Sequence, residues 1–253
     1  MGYTTDFHGS LSIEPPLCHE EITYLRAFSA SRRMDRQNGP FFVDDDDSGF
    51  LSGSKGKNSK ITDVINNNSP PAGQPSLWCQ WTCNDDGTAI EWDGGEKFYA
   101  AAEWMAYLRT YFLTRCAAKD LAPESMDFLQ PHRLSGAIHA VGEDSFNDVW
   151  KIKADGEGIH VSRGAWTDLA LQELFGQKLD GEDEEEDDHD YISSEQAIED
   201  VTREGYVAWG PWEKVPDFDN PAEESRVLAL SEKRILDGAA ASPQASSISS
   251  LSL

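Results

Sequence analysis

Residues 77–99 read LWCQWTCNDDGTAIEWDGGEKFY, and this stretch decides the fold. Two short apolar runs flank Asn84-Asp85-Asp86-Gly87, and Asp-Gly tolerates the positive φ that a tight turn requires. Strand 77–83 should therefore fold back as strand 88–93. Gly94-Gly95 then breaks the chain, after which Phe98, Ala101, Ala102, Met105, Leu108 and Phe112 recur at helical spacing. The segment is a β-hairpin whose second strand ends in a carboxylate-rich turn leading into a helix.

Working outward, Tyr3, Thr5, Phe7, Leu11 and Ile13 alternate with Thr4, Asp6, His8, Ser10 and Ser12, the period of a half-buried strand, which Pro15-Pro16 stops. Residues 20–33 place Ile22, Leu25 and Phe28 on one helical face, with acids at the start and arginines at the end. Downstream, 134–141, 149–153 and 158–162 read as strands. The order is βαββαβ with added strands, which predicts an α+β fold of the ferredoxin-like kind. The expected organisation is a domain over 1–163, a polar surface insertion over 44–76, and an acidic, partly helical or disordered tail over 164–253. Within that tail, 166–175, 193–203 and 222–236 are helical candidates, and Tyr206, Trp209, Pro211, Trp212 and Phe218 form an aromatic cluster. Residues 180–190, DGEDEEEDDHD, form a self-repelling run, and 239–253 are low-complexity Ala/Ser.

Several segments resemble an uncharacterised family of bacteriophage, prophage and bacterial proteins. They are Trp78, Gln80 and Trp81 with Glu91 to Tyr99, Met1 to Phe7, Ser31 to Arg36, and Gly142-Glu143-Asp144. The resemblance covers about residues 1–163, excluding 44–60, and implies no activity, because that family has none assigned. What it does imply is a protein of phage or mobile-element type.

Composition narrows the function classes. The chain has 253 residues, a formal charge of -25 and mean hydropathy of -0.55. Such a charge opposes nonspecific binding to nucleic acid or anionic membrane. No apolar run reaches the length of a membrane span and no signal-peptide region follows Met1, so an intracellular, cytoplasmic protein is expected. Cys18, Cys79, Cys83 and Cys116 are scattered and read as thiols of a reducing compartment.

Strand alternation sorts the candidate chemistry. Phe7, Leu11, Cys79, Trp81, Ile90, Trp92 and Ile138 should face the helices, leaving Asp6, His8, Trp78, Gln80, Glu91, Asp93 and His139 on an open sheet face. That set can bind a divalent metal or share acid–base work, and it equally describes a solvated polar face. Glu91, Asp93 and Glu96 flank the glycine pair; they could attract a cation, or simply shape the turn and stabilise the first helical turn. Glu143 and Asp144 are candidates for the same end of the sheet. Arg32, Arg33 and Arg36 could clamp a phosphate or carboxylate, or complement the helix dipole. Asp44-x-Asp46-x-Ser48-Gly49 opens like a calcium loop but has Lys55 where Glu is required. No Gly-x-Ser-x-Gly, His-Glu-x-x-His, Cys-x-x-Cys or phosphate loop occurs.

The expected function is therefore a non-enzymatic accessory or interaction protein binding a protein or small ligand, with counter-defence or polyanion mimicry consistent with the charge. The alternative is a metal-dependent enzyme acting on a nucleotide or phosphoester. It would use Glu91 and Asp93 as ligands, Glu96 or His8 as base, and Arg32 or Arg33 on phosphate. No cofactor or oligomeric state is implied.

Overall fold

The computed structural model describes residues 2–37, 39–43, 64–113, 128–143, 148–175 and 194–217. The fold is α+β, built on a mostly antiparallel eight-stranded sheet with few helices. The expectations for Asp44 to Ser48, Cys116, Asp144, the acidic run, the helix at 222–236 and the Ala/Ser end lie outside the described residues.

Strand β1 (Thr5–Glu14) is the centre of the sheet. It pairs with β6 (Arg133–Gly142) along its full length, from Thr5 opposite Gly142 to Glu14 opposite Arg133. On its other side lies the short hairpin β4 (Trp81–Cys83) and β5 (Ala89–Trp92). Beyond β6 come β7 (Val149–Asp155) and β8 (Gly158–Trp166), giving the order β8-β7-β6-β1-β5-β4. A separate two-stranded ribbon joins β2 (Asp35–Arg36) to β3 (Val64–Asn66).

Helices α1 (His19–Ala30) and α2 (Ala101–Leu108) cover one face. Every residue of α2 is buried, as expected of a helix with apolar groups all round. The sheet lies on one side, while on the other the Phe28 ring of α1 sits 6.0 Å from Trp104. Phe7 anchors the sheet side, with Trp81, Trp92, Phe98 and Trp150 all within 5.8 Å of its ring centroid. Trp81 is fully buried and its indole N–H donates to the Ala101 carbonyl at 2.7 Å, tying hairpin to helix.

Three expectations need correction. First, α1 ends at Ala30 rather than Arg33, because the chain turns extended at Ser31; the three arginines therefore lie past the helix and do not serve its dipole. Second, the later part of the expected 44–76 surface insertion is tied into the core rather than standing apart from it. Gln74 is 1% exposed and Ser76 accepts a 2.7 Å bond from the Trp104 indole. Third, the sheet does not end at 163. That position falls inside β8, and the later chain adds β9 (Val207–Trp209) and β10 (Glu213–Lys214), both paired to β8.

The late segment also builds a second, smaller core on the opposite sheet face. Val141, Val149 and Trp166 pack there with Ala170 of α3 (Asp168–Ala170), Ala197 of α4 (Ser194–Asp200), Val201, Tyr206 and Val207. Thr167 organises the return: its hydroxyl donates to the Gly205 carbonyl and its N–H to the Tyr206 carbonyl. Removing all residues after 175 uncovers this cluster. Burying one large aliphatic or aromatic side chain contributes about 1.5–3 kcal/mol, so the truncated chain should lose at least ~4 kcal/mol by urea denaturation. An unchanged midpoint would separate residues 194–217 from the folding unit.

Candidate functional site

Of the carboxylates singled out in the hairpin, Asp93 is engaged with the turn that carries it. Asp93 Oδ1 accepts the Gly95 N–H at 2.8 Å, and the Trp92 indole donates to the Gly95 carbonyl at 3.2 Å. Gln80 Nε2 donates to the Glu96 carbonyl at 2.8 Å. Gly94 has φ of 81°, a conformation that favours glycine in such a turn. Glu96 lies before the helix, which starts only at Ala101, so it does not stabilise a first helical turn. Glu91 and Trp78 are exposed. Glu143 Oε2 accepts the Thr4 N–H at 3.2 Å, closing the start of β1. Among the described residues no three His, Cys, Asp or Glu side chains gather where they could hold a metal.

The arginines do not form a clamp. Arg33 is 3% exposed, with its guanidinium 3.9 Å over the Phe28 ring. It donates to the Pro40 carbonyl at 2.6 Å and to Gln74 Oε1 at 3.4 Å, while Gln74 donates to Pro40 and to the Tyr107 hydroxyl. Burial pushes Arg33 down to about 10, which leaves it protonated at neutral pH. Its role is to fasten 33–43 and 70–77 across the helices. Arg36 is also buried, against Phe42, and Arg32 Nε is enclosed without a hydrogen-bond partner.

A shallow cleft lined by Glu14, Pro15, Pro131, His132 and Arg133 sits above a buried ion pair that the sequence did not disclose. His132 Nε2 lies 2.9 Å from Glu21 Oε1, and its Nδ1 lies 2.7 Å from the Pro15 carbonyl. Glu21 also accepts the backbone N–H groups of Cys18 and Gln130 at 2.8 and 2.7 Å. Every polar atom of the pair is occupied, so Glu21 and His132 have no idle group to offer a substrate.

The open face is different. Strand register sets His8, His139, Lys151 and Ser162 in one row across β1, β6, β7 and β8, and Ser10, Ala137, Lys153 and His160 in the next. The opposite end of this face is covered by α4 and the second core, leaving a strip among the described residues. Its wall comes from 209–212, where Trp209 and Trp212 rise beside β8. Lys151 Nζ sits 4.0 Å from the Trp209 centroid and 4.9 Å from that of Trp212; Lys153 Nζ lies 4.9 Å from Trp212. The His139 ring is 5.6 Å from Trp209.

Charge is unevenly spent within the strip. Lys153 bonds Asp155 at 2.9 Å and His160 reaches the same carboxylate at 3.2 Å, which holds Asp155 well below the usual range. Lys151 pairs with no carboxylate among the described residues. Burial pushes Lys151 down; burial, then Lys151 and His8, push His139 down. In a chain with 46 acids and 21 Lys and Arg, this row brings a lysine and two imidazoles together with no carboxylate in it. His8 and His139 were expected on this face. Lys151 and Lys153 were missed, although their alternation with Trp150, Ile152 and Ala154 in strand 149–155 carried the signal.

No protein-family model, curated protein or solved structure matches the chain. No helix among the described residues is long and apolar enough to cross a membrane.

The Glu21–His132 pair yields a pH test. Burial raises the Glu21 carboxyl, but the His132 bond and the two backbone donors outweigh it, and the net position is below the ordinary 4.5. Its stabilisation is therefore complete above that ordinary value and is lost as pH falls through the depressed folded value. Glu21→Gln leaves His132 without its charge partner and should cost about 3–5 kcal/mol at neutral pH. The wild-type advantage over the variant should shrink on acidification below 4.5; denaturation curves at several pH values measure both. A variant as stable as wild type at neutral pH would contradict the pairing.

Proposed function

We propose that the chain is a non-enzymatic interaction protein, of the accessory type carried by phages and mobile elements, that holds a small ligand or partner protein on the open face of a ferredoxin-like sheet. The order β6-β1-β5-β4, with α1 between β1 and β4 and α2 between β5 and β6, supports that fold assignment. The resemblance of residues 77–99 to phage proteins supports the accessory type. The observation that carries the binding role is the His8–His139–Lys151 row, an exposed-to-half-buried set of donors without a carboxylate, walled by two indoles. Sites for small ligands combine such apolar walls with a few convergent polar groups.

Two measurements on the full chain test the reading. Native mass spectrometry of the purified protein should detect a retained ligand or partner that is lost in a His139→Gln/Lys151→Met variant. Retention unaffected by those changes would move binding off the face. The metal-enzyme alternative is tested at Glu91: Glu91→Gln should change stability by no more than about 0.5 kcal/mol, and calorimetric titration with Mg²⁺, Mn²⁺ or Zn²⁺ should give no heat that depends on Glu91. Metal uptake abolished by Glu91→Gln would overturn the non-enzymatic assignment.

A further inference from the structure

We propose that the strip bounded by His8, His139, Lys151, Trp209 and Trp212 is a site for one small anion bearing a flat ring, the chemistry of a nucleoside monophosphate. This rests on the open face being the binding surface and specifies what it takes.

The anion end follows from the unpaired donors. Lys151 has indole faces around its ammonium group and no carboxylate partner among the described residues. Cation–π contact leaves an ammonium's hydrogen-bond donors available to a second, anionic partner. Asp155, two rows from Lys151, is engaged by Lys153 and His160, so an anion settles on the Lys151 side, where His8 and His139 supply further ring nitrogens. One row away lies Asp6, which limits the anion's approach from that end.

The ring end follows from the wall. Trp212 remains 39% exposed while its partner surface holds two lysine tips, so an open indole area stands beside the anion position. Flat rings stack on indoles without needing a base-specific hydrogen bond.

Size selects a small molecule over a polymer. Strands are about 4.8 Å apart, so the row from β1 to β7 spans roughly 10 Å. α4 closes one end and the 209–214 segment one side. A nucleic-acid strand would extend beyond that strip over a chain of charge -25. A single anion is attracted locally, because at physiological salt the screening length is about 8 Å and distant carboxylates contribute little.

The experiment is calorimetric titration of the full chain with AMP and UMP, with inorganic phosphate and ribose 5-phosphate as anions lacking a base, and adenosine as a ring lacking an anion. AMP or UMP should bind at least tenfold more tightly than phosphate or adenosine. Lys151→Met, which keeps the apolar stem on Trp209, should weaken nucleotide binding tenfold or more. Trp212→Ala should abolish the preference for nucleotide over ribose 5-phosphate. Thermal unfolding of each variant is recorded to show that the fold persists; His139→Gln provides a second disruption should Trp212→Ala unfold the edge. No heat with either nucleotide, equal binding of phosphate and AMP, or nucleotide binding unchanged in Lys151→Met would each overturn the proposal. Should an acidic peptide such as hexaglutamate bind at this row in place of the nucleotides, the ligand class fails while the binding face stands. Loss of the face itself would show separately, as native-state ligand retention indifferent to His139→Gln/Lys151→Met.

Discussion

The register of β1 against β6 is the constraint on which the other features depend. Ten residue pairs link the two strands, and they place Phe7, Leu11 and Ile13 with Leu134, Ile138 and Ala140 beneath the helices. The same register puts His8 opposite His139 on the reverse face. Because side chains alternate with a period of two, a slip of β1 by one residue would exchange its faces, exposing the aromatic anchor Phe7 and burying His8 while His139 stayed outside. Gly9 and Gly136 pin the pairing: their φ values are 99° and 118°, and a Cβ at Gly9 would stand 3.0 Å from the Ala137 carbonyl oxygen. The two strands approach closely where side chains would hold them apart.

From that spine the sheet is covered asymmetrically. Helices α1 and α2 cover one face, whereas among the described residues the other is sealed where Val141, Val149 and Trp166 meet α3, α4 and Tyr206. The uncovered remainder is the candidate strip. Its wall and the second core come from the same late segment: β9 carries both Val207, opposite Trp166, and Trp209, over which Lys151 lies. The second core and the wall of the strip are joined through β9.

Much of this was legible. The turn at Asp86-Gly87 and the alternation in 3–13 announced their strands, and the spacing of Ala101, Met105 and Leu108 announced α2, because each is a local pattern of sufficient length. Other features were not local. Strands of three and two residues around Gly210-Pro211 are too short to show a period, and they form only because β8 offers an unpaired edge. Arg33 looked like a surface cation, since nothing in Ser31-Arg32-Arg33 shows that a guanidinium will lie on Phe28 and bond Gln74, far along the chain. The Glu21–His132 pair likewise joins residues distant in sequence. The carboxylates of the hairpin were conspicuous in sequence, yet the Asp93 carboxylate accepts the Gly95 N–H of its own turn and Glu96 lies beside Lys97.

The most direct check of the spine is a solution NMR measurement of cross-strand contacts between backbone protons of β1 and β6. Contacts joining His8 to His139, Ser10 to Ala137 and Ser12 to Ser135 are expected. Direct Hα–Hα or HN–HN pairing of His8 with Ile138 or Ala140 in place of His139 would shift the register by one residue, put one of the two imidazoles on the core face, and contradict both the fold and the candidate site.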